Sequence, residues 1–161
     1  MATQSIDVTP ASAAVWRQLY LTYSTIFKAI ERAIAPTGVT LPQALALQTI
    51  KAGPGPITPS RLAHYLTQET QSVTGLIDRM EKQDWVRRVR DLPDRRAIRL
   101  ELTPAGEAKL AETLGPSSDT TARMFEALSG GELATLSGLL DKVYDGATAH
   151  LGIEAPAIPA T

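Results

Sequence analysis

Eight of the sixteen Lys and Arg residues in this 161-residue chain lie between Arg79 and Arg99, where four acids accompany them. Guanidinium groups at this density bind anions, because their forked donors match phosphate oxygens two at a time. The segment has a net charge of +4, so the rest of a chain whose total is −1 has a net charge of −5. A basic patch on an acidic body docks a polyanion in one orientation, and that asymmetry matters more than the overall charge. A charge run can equally be a solvated face. The elements that carry it decide between the two.

Within this segment, Val86 to Gly106 reads VRRVRDLPDRRAIRLELTPAG. Ile98, Leu100 and Leu102 alternate with Arg99 and Glu101, the pattern of a strand with one buried face. A shorter alternating run precedes them, and Arg90 to Arg96 connect the two. The pattern predicts a hairpin whose cationic tip is too long for a two-residue turn.

Helix signals surround the hairpin. Thr9-Pro10, Thr58-Pro59 and Thr103-Pro104 each pair a capping hydroxyl with a proline suited to the first helical position. Thr40-x-x-Gln43 and Ser129-x-x-Glu132 have capping-box spacing. Six helices are expected: about Thr9–Ala35, Leu41–Ala52, Pro59–Leu66, Thr70–Gln83, Pro104–Leu128 and Gly130–Leu151. The first has an apolar stripe that includes Trp16, Tyr20, Tyr23, Phe27 and Ile30. The second is apolar nearly all round and belongs in a core. Gly115-Pro116 should bend the fifth helix or split it in two, because proline removes a backbone donor. The residues after Leu151 carry no periodicity and should fray. The fold class is mainly α with a small β-hairpin.

The third and fourth helices, followed by the hairpin, make a winged helix-turn-helix with Leu62, Ala63, Leu66, Val73, Leu76, Ile77 and Met80 as its internal core. In such a unit the second helix enters the major groove of duplex DNA, start first. The residues there are Thr70, Gln71, Ser72, Thr74 and Gly75. They are short and polar, a glutamine can pair bidentately with adenine, and the glycine permits close approach. Small polar residues can equally do no more than fill an exposed helix start. Asp94, Arg95 and Arg96 form the tip, beside the minor groove whose negative potential attracts guanidinium. Asp94 is expected to orient Arg96 by a forked pair. Arg79, Arg87, Arg88 and Arg90 are expected to hold phosphates without reading sequence.

The string Asp94-Arg95-Arg96 followed by Leu102-Thr103-Pro104-Ala105-Gly106 resembles the D-x-R and L-T-x-x-G signature of the MarR family of winged-helix regulators. Leu62-Ala63 and Val73-Thr74, with Leu76-Ile77-Asp78-Arg79-Met80-Glu81, are similar to the helix-turn-helix of that family. The resemblance spans about residues 10–150. It implies a homodimer that binds a pseudo-palindromic operator, most often as a repressor, and the cysteine-free composition without an export signal fits a cytoplasmic location. Residues 9–36 and 104–151 would form the dimerisation region, 40–103 the DNA-binding domain and 152–161 a tail. It also implies control by a small aromatic or phenolic ligand. Two positions depart from the family pattern: Thr67-Gln68-Glu69 replaces the usual Gly-apolar-Ser/Thr turn, and Trp85 stands where an aliphatic residue is common.

Other functions find less support. The absence of cysteine removes thiol redox switching, cysteine nucleophiles and cysteine-ligated metals. His64 and His150 are too few and too far apart for a histidine metal site. No P-loop, GxGxxG, GxSxG or HExxH occurs, so no enzyme and no cofactor are expected. No apolar run approaches the roughly 20 residues of a membrane span, and the first twelve residues do not resemble an export signal. A winged helix that binds protein rather than DNA is the alternative, and such a module has no need of paired tip arginines. A ligand pocket, if present, is expected along Trp16, Tyr20, Tyr23 and Phe27, with Arg17 or His64 as anion anchor. The same aromatics at helical spacing also suit a dimer core. Replacing Arg96 with Ala should cost about 1–3 kcal/mol of binding and relax base discrimination. Equal binding to preferred and scrambled duplexes before and after the change would refute the tip assignment.

Overall fold

The computed structural model describes residues 9–94 and 97–153. The elements are α1 (Pro10–Ile34), α2 (Leu41–Ala52), α3 (Pro59–Tyr65), α4 (Thr70–Lys82), β1 (Val86–Val89), β2 (Arg99–Leu102), α5 (Pro104–Phe125) and α6 (Gly130–Leu151), with a short 3-10 turn over Ala35–Thr37. The strands pair antiparallel, Val86 opposite Leu102 and Val89 opposite Arg99. The residues expected in the tail from 154 onward lie outside the described residues, as do Arg95 and Arg96.

All three Thr-Pro pairs cap helices. Thr9 accepts from the Ser12 amide at 3.2 Å, Thr58 from Arg61 at 3.2 Å and Thr103 from Gly106 at 3.1 Å. Both capping boxes also form: the backbone N–H of Thr40 donates to Gln43 and that of Ser129 to Glu132. These caps satisfy amides that have no partner inside the helix. Three helices end before their apolar pattern does, at Ile34, Tyr65 and Phe125. At the first, the chain turns through the 3-10 segment and closes on Gly38, whose φ of 73° favours glycine. Of the two outcomes expected at Pro116, a bend or a split, the split does not occur: α5 runs unsplit from Pro104 to Phe125. Beside that proline, the Ser117 hydroxyl donates to the carbonyls of Thr113 (2.7 Å) and Leu114 (3.1 Å), adding side-chain bonds where the proline removes a backbone one.

The core lies between Val39 and Leu110, under α2, α3, α4, the hairpin and the start of α5. Leu62, Ala63, Val73, Leu76, Ile77 and Met80 are buried as expected, and Leu66 is half-buried. Leu100 is buried between half-buried Ile98 and Leu102. The backbone N–H of Leu100 also donates to the Ile57 carbonyl at 2.8 Å, tying the segment before α3 to β2. Trp85 is buried and fills its unusual position within this core.

The end of α4, both strands and the start of α5 meet at Thr103. Its hydroxyl donates to the Asp84 carbonyl, and its amide donates to Trp85 O at 3.1 Å. Gly106 presses against that same Trp85 carbonyl so closely that a Cβ would stand 1.9 Å from the oxygen. This contact is the physical content of the L-T-x-x-G spacing: threonine caps, and glycine lets the backbones touch.

Outside the core, packing thins. Trp16, Tyr20 and Tyr23 on α1 are mostly exposed, as are Leu139 and Val143 on α6. Among the described residues, α6 makes no extended contact with another element of its chain. The turn between α3 and α4 is also under tension, because Thr67 adopts φ 51°, a left-handed conformation unfavourable for a β-branched residue.

Two substitutions test these backbone constraints. Gly106→Ala should destabilise the fold by about 3 kcal/mol, since the clash is with backbone and not a movable side chain. Thr67→Gly should stabilise it by about 0.5–1 kcal/mol, the relief of strain less the added unfolded-state entropy. Urea denaturation midpoints read both, and an unchanged midpoint for Gly106→Ala would contradict the packing described.

Candidate nucleic-acid interface

The first residues of α4 stand at the surface. Thr70, Gln71, Ser72 and Thr74 are exposed, and Gly75 is half-buried. The opposite face of the helix carries Val73, Leu76, Ile77 and Met80 into the core, which leaves the polar face outward. The Thr74 hydroxyl donates to Thr70 O at 2.8 Å, so it faces outward only as an acceptor. Glu69 caps the helix without a side-chain bond to the helix amides. The space over Gly75 is bordered by the Arg79 guanidinium, 3.7 Å from where a Cβ would be. Arg79 therefore folds back along α4 toward the helix start.

The hairpin is joined to α4 by Arg88. Its two guanidinium arms reach Asp78 (2.6 Å) and Glu81, one turn apart on the helix. Partial burial opposes its charge, but hydrogen bonding to Asp78 and the two carboxylates together raise its pKa above the usual arginine value. Arg87 pairs with Glu101 across the strands at 2.9 Å. Arg99 forks onto Asp91, with Nε to Oδ1 at 2.7 Å and Nη2 to Oδ2 at 2.6 Å, and its remaining arm reaches Glu101 at 3.0 Å. The Arg99 hydrogen bond holds the Asp91 carboxyl below the ordinary carboxylate range, and the bond from Arg87 does the same for Glu101.

The expected phosphate ligands therefore divide. The guanidinium groups of Arg87 and Arg88 are engaged within the chain. Arg79 and Arg90 make no hydrogen bond or ion pair to another side chain among the described residues. Asp94 lies exposed at the edge of the tip, while Arg95 and Arg96 fall outside the described residues. Sequence reasoning did not anticipate Asp78, Glu81, Asp91 and Glu101 as partners. The only signal was the i, i+3 spacing of Asp78 and Glu81 on one side of a helix.

The expected ligand residues do not converge on one cavity. Trp16 and Tyr20 lie 6.5 Å apart by ring centroids, and Tyr23 and Phe27 5.9 Å apart, along the outer face of α1. Arg17 is exposed on the same helix, and His64 is exposed on α3 with its ring edge near Tyr65. A cavity of about 480 Å³ lies elsewhere, between α1, α2 and α5. Ile34, Leu41, Ala44 and Leu114 form its apolar wall, and Gln48, Thr113, Ser117 and Thr121 supply the polar groups. None of the six expected residues lines it.

Residues 37–97, the span from the end of α1 to the hairpin tip, match the model of the MarR family. The transcriptional regulator YsmB of Bacillus subtilis is 33% identical over 105 residues, 65% of this chain and 71% of YsmB. Apo MarR from E. coli is 26% identical, with a TM-score of 0.66 over 79% of this chain and 94% of that one. A cysteine-to-serine variant of the same protein, crystallised with operator DNA, has a TM-score of 0.73 at 24% identity, covering 88% and 99%. The organohalide-sensing regulator RdhR, with 2,4-dichlorophenol bound, has a TM-score of 0.75 at 20% identity, covering 91% and 86%. The two last are likenesses of fold. Its sequence match to YsmB, together with the winged arrangement of α3, α4 and the hairpin, makes this chain a member of the MarR family of transcriptional regulators.

Proposed function

We propose that the protein is a homodimeric, sequence-specific DNA-binding repressor whose grip on an operator is released by a small uncharged ligand. The observation that carries the DNA reading is the rigid union of an exposed polar helix start with a cationic hairpin through Arg88, Asp78 and Glu81. The start of α4 reads bases in the major groove through Thr70, Gln71 and Ser72, with Thr74 accepting only. Arg79 and Arg90 hold phosphates, and the tip residues Asp94 to Arg96 reach the adjacent minor groove. Arg87 and Arg88 brace the hairpin rather than bind DNA directly.

Residues 9–36 and 104–151 form the dimerisation region, and 40–103 the reading head. Apolar side chains left exposed along α1 and α6 support this division, since an unpartnered surface of this kind marks an association site. The aromatic stripe of Trp16, Tyr20 and Tyr23 belongs to that seam, with Arg17 at its edge and His64 a surface residue of the head. The ligand goes to the cavity between α1, α2 and α5.

The chemistry of the cavity selects its occupant. None of its lining residues is charged, so a carboxylate entering it would lose hydration without gaining a counter-charge. The hydroxyl protons of Thr113, Ser117 and Thr121 are given to helix carbonyls at 2.7–2.8 Å. Their lone pairs remain, which suits a ligand that donates, such as a phenol. RdhR in complex with a chlorophenol is a precedent for the ligand class in this fold.

Selection of binding sites from random duplexes, followed by anisotropy at two salt concentrations, tests the DNA reading. An inverted repeat with half-sites about 10 bp apart is expected. No binding to any duplex would favour the protein-interaction alternative. Replacing Arg90 with Ala should weaken all sequences alike and lower the salt slope by about one. On the selected site, an uncharged phenol should displace DNA where benzoate does not, and Leu114→Trp, which fills the cavity, should abolish the displacement. Release by benzoate alone would overturn the cavity assignment.

A further inference from the structure

The outward face of the hairpin carries a chain of alternating charge that the reading head does not otherwise require. Arg87 and Glu101 are cross-strand partners, Arg99 lies opposite Val89, and Asp91 continues the same alternation two residues past Val89. Ion pairs run unbroken from Arg87 to Glu101 to Arg99 to Asp91. Isolated surface pairs contribute little. This one differs in geometry, because both Asp91 oxygens are taken by adjacent nitrogens of one guanidinium, at 2.7 and 2.6 Å. A two-point fork fixes orientation as well as distance. Arg99 is itself held from the other side by Glu101, so the carboxylate of Asp91 is anchored to the strand ladder.

Asp91 stands where β1 has ended and the loop toward the tip begins. A rigid strand pair ends at Val89 and Arg99, and the tip arginines are six and seven residues beyond Val89 in sequence. Backbone pairing alone leaves that span without a ladder bond. The one backbone bond described within it is from Ala97 N–H to Asp94 O at 2.9 Å, nearer the tip. The Asp91–Arg99 fork ties the loop, two residues past Val89, back to the last ladder pair, and braces it where the strands leave off.

We propose that Asp91, forked onto Arg99, is a positioning residue for DNA recognition: it sets the direction in which the loop leaves the strand pair, and so how the hairpin meets the groove beside α4. The proposal rests on the DNA-reading function proposed above. Asp91 itself touches no DNA in this account, which is why a carboxylate is tolerated in so basic a loop. Its charge is met by Arg99 and not by phosphate repulsion. Arg99, although one of the eight clustered cations, contributes little to phosphate binding for the same reason.

Two full-chain variants separate this role from bulk charge. Asp91→Asn removes a negative charge along with the fork. Arg99→Lys keeps the charge but cannot fork, since an ammonium is a point donor. Each is measured by anisotropy on the duplex selected by the wild type and on the same duplex with A·T pairs under the hairpin changed to G·C, at two salt concentrations. Both variants should lose about tenfold in discrimination between the two duplexes, with salt slope and melting temperature close to wild type. Asp91→Glu, which preserves a carboxylate, should recover part of the loss. Wild-type discrimination in Arg99→Lys would overturn the proposal and leave only a charge effect. Equal weakening on both duplexes with a lowered melting temperature would overturn it in favour of a structural role. A wild type that binds no duplex would refute the DNA reading itself, and would do so before either variant is measured.

Discussion

The carbonyl group of Trp85 is the point on which the architecture turns. It accepts from the Thr103 amide and lies against Gly106, while the Thr103 hydroxyl takes the neighbouring carbonyl of Asp84. These few atoms fasten the exit of α4, both strands and the entry to α5. A backbone carbonyl can serve three elements at once only if nothing larger than hydrogen stands on the α5 side. The same junction directs the hairpin past α4 on one side, and it sends α5 back toward α1 on the other. The separation of a reading face from a helical body follows from it.

Electrostatics divide along the same line. The basic segment looks, in composition, like a uniform phosphate-binding surface. In three dimensions its cations have two jobs. Arg87, Arg88 and Arg99 spend their charge on Glu101, Asp78, Glu81 and Asp91, and in doing so hold the hairpin to itself and to α4. The unengaged cations of the described residues, Arg79 and Arg90 among them, lie outside these pairs. Such a division makes geometric sense. A recognition surface must hold its shape before it meets DNA, or ordering it on contact would consume part of the binding free energy. The internal pairs supply that order, and partial burial of Arg88 keeps its pair from being merely a screened surface contact.

Residues 39–110 bury a continuous core within one chain, whereas α1 and α6 leave tryptophan, tyrosine and leucine side chains in contact with solvent. The two halves thus differ in what they need from a second copy. The head folds around its own contents, and the proposed dimer seam would complete the burial of the long helices. The cavity between α1, α2 and α5 occupies the border. On its other side α2 reaches the reading helix directly, through Gln43 donating to Gln83 at 3.0 Å just past the end of α4. Lys51, near the end of α2, pairs with Glu107 at the start of α5. An occupant of the cavity would press on a helix that is pinned at one end to α4 and at the other to α5. It therefore has a mechanical route to the head.

How much of this was legible in the chain follows from the range of each interaction. Caps act over three residues, so Thr9, Thr58, Thr103 and the two capping boxes could be located from spacing alone, and with them five helix starts. Strand alternation acts over two, which exposed the hairpin. Thr67 was recognisable as a departure from the expected turn, and its φ of 51° shows why glycine is usual there. Spacing alone left open whether Pro116 bends its helix or splits it, because local propensity does not weigh one lost hydrogen bond against the packing of a long helix along α1. The cavity could not be anticipated, since its walls come from three helices and the periodicity of no one of them fixes how they cross. Nor could the pairing of Arg88, because a run of arginines looks the same whether its carboxylate partners lie one helical turn away or across a sheet. What a charged residue does is decided by the nearest opposite charge in space. In this protein that distance separates the arginines that shape the hairpin from Arg79 and Arg90, which pair with no carboxylate among the described residues.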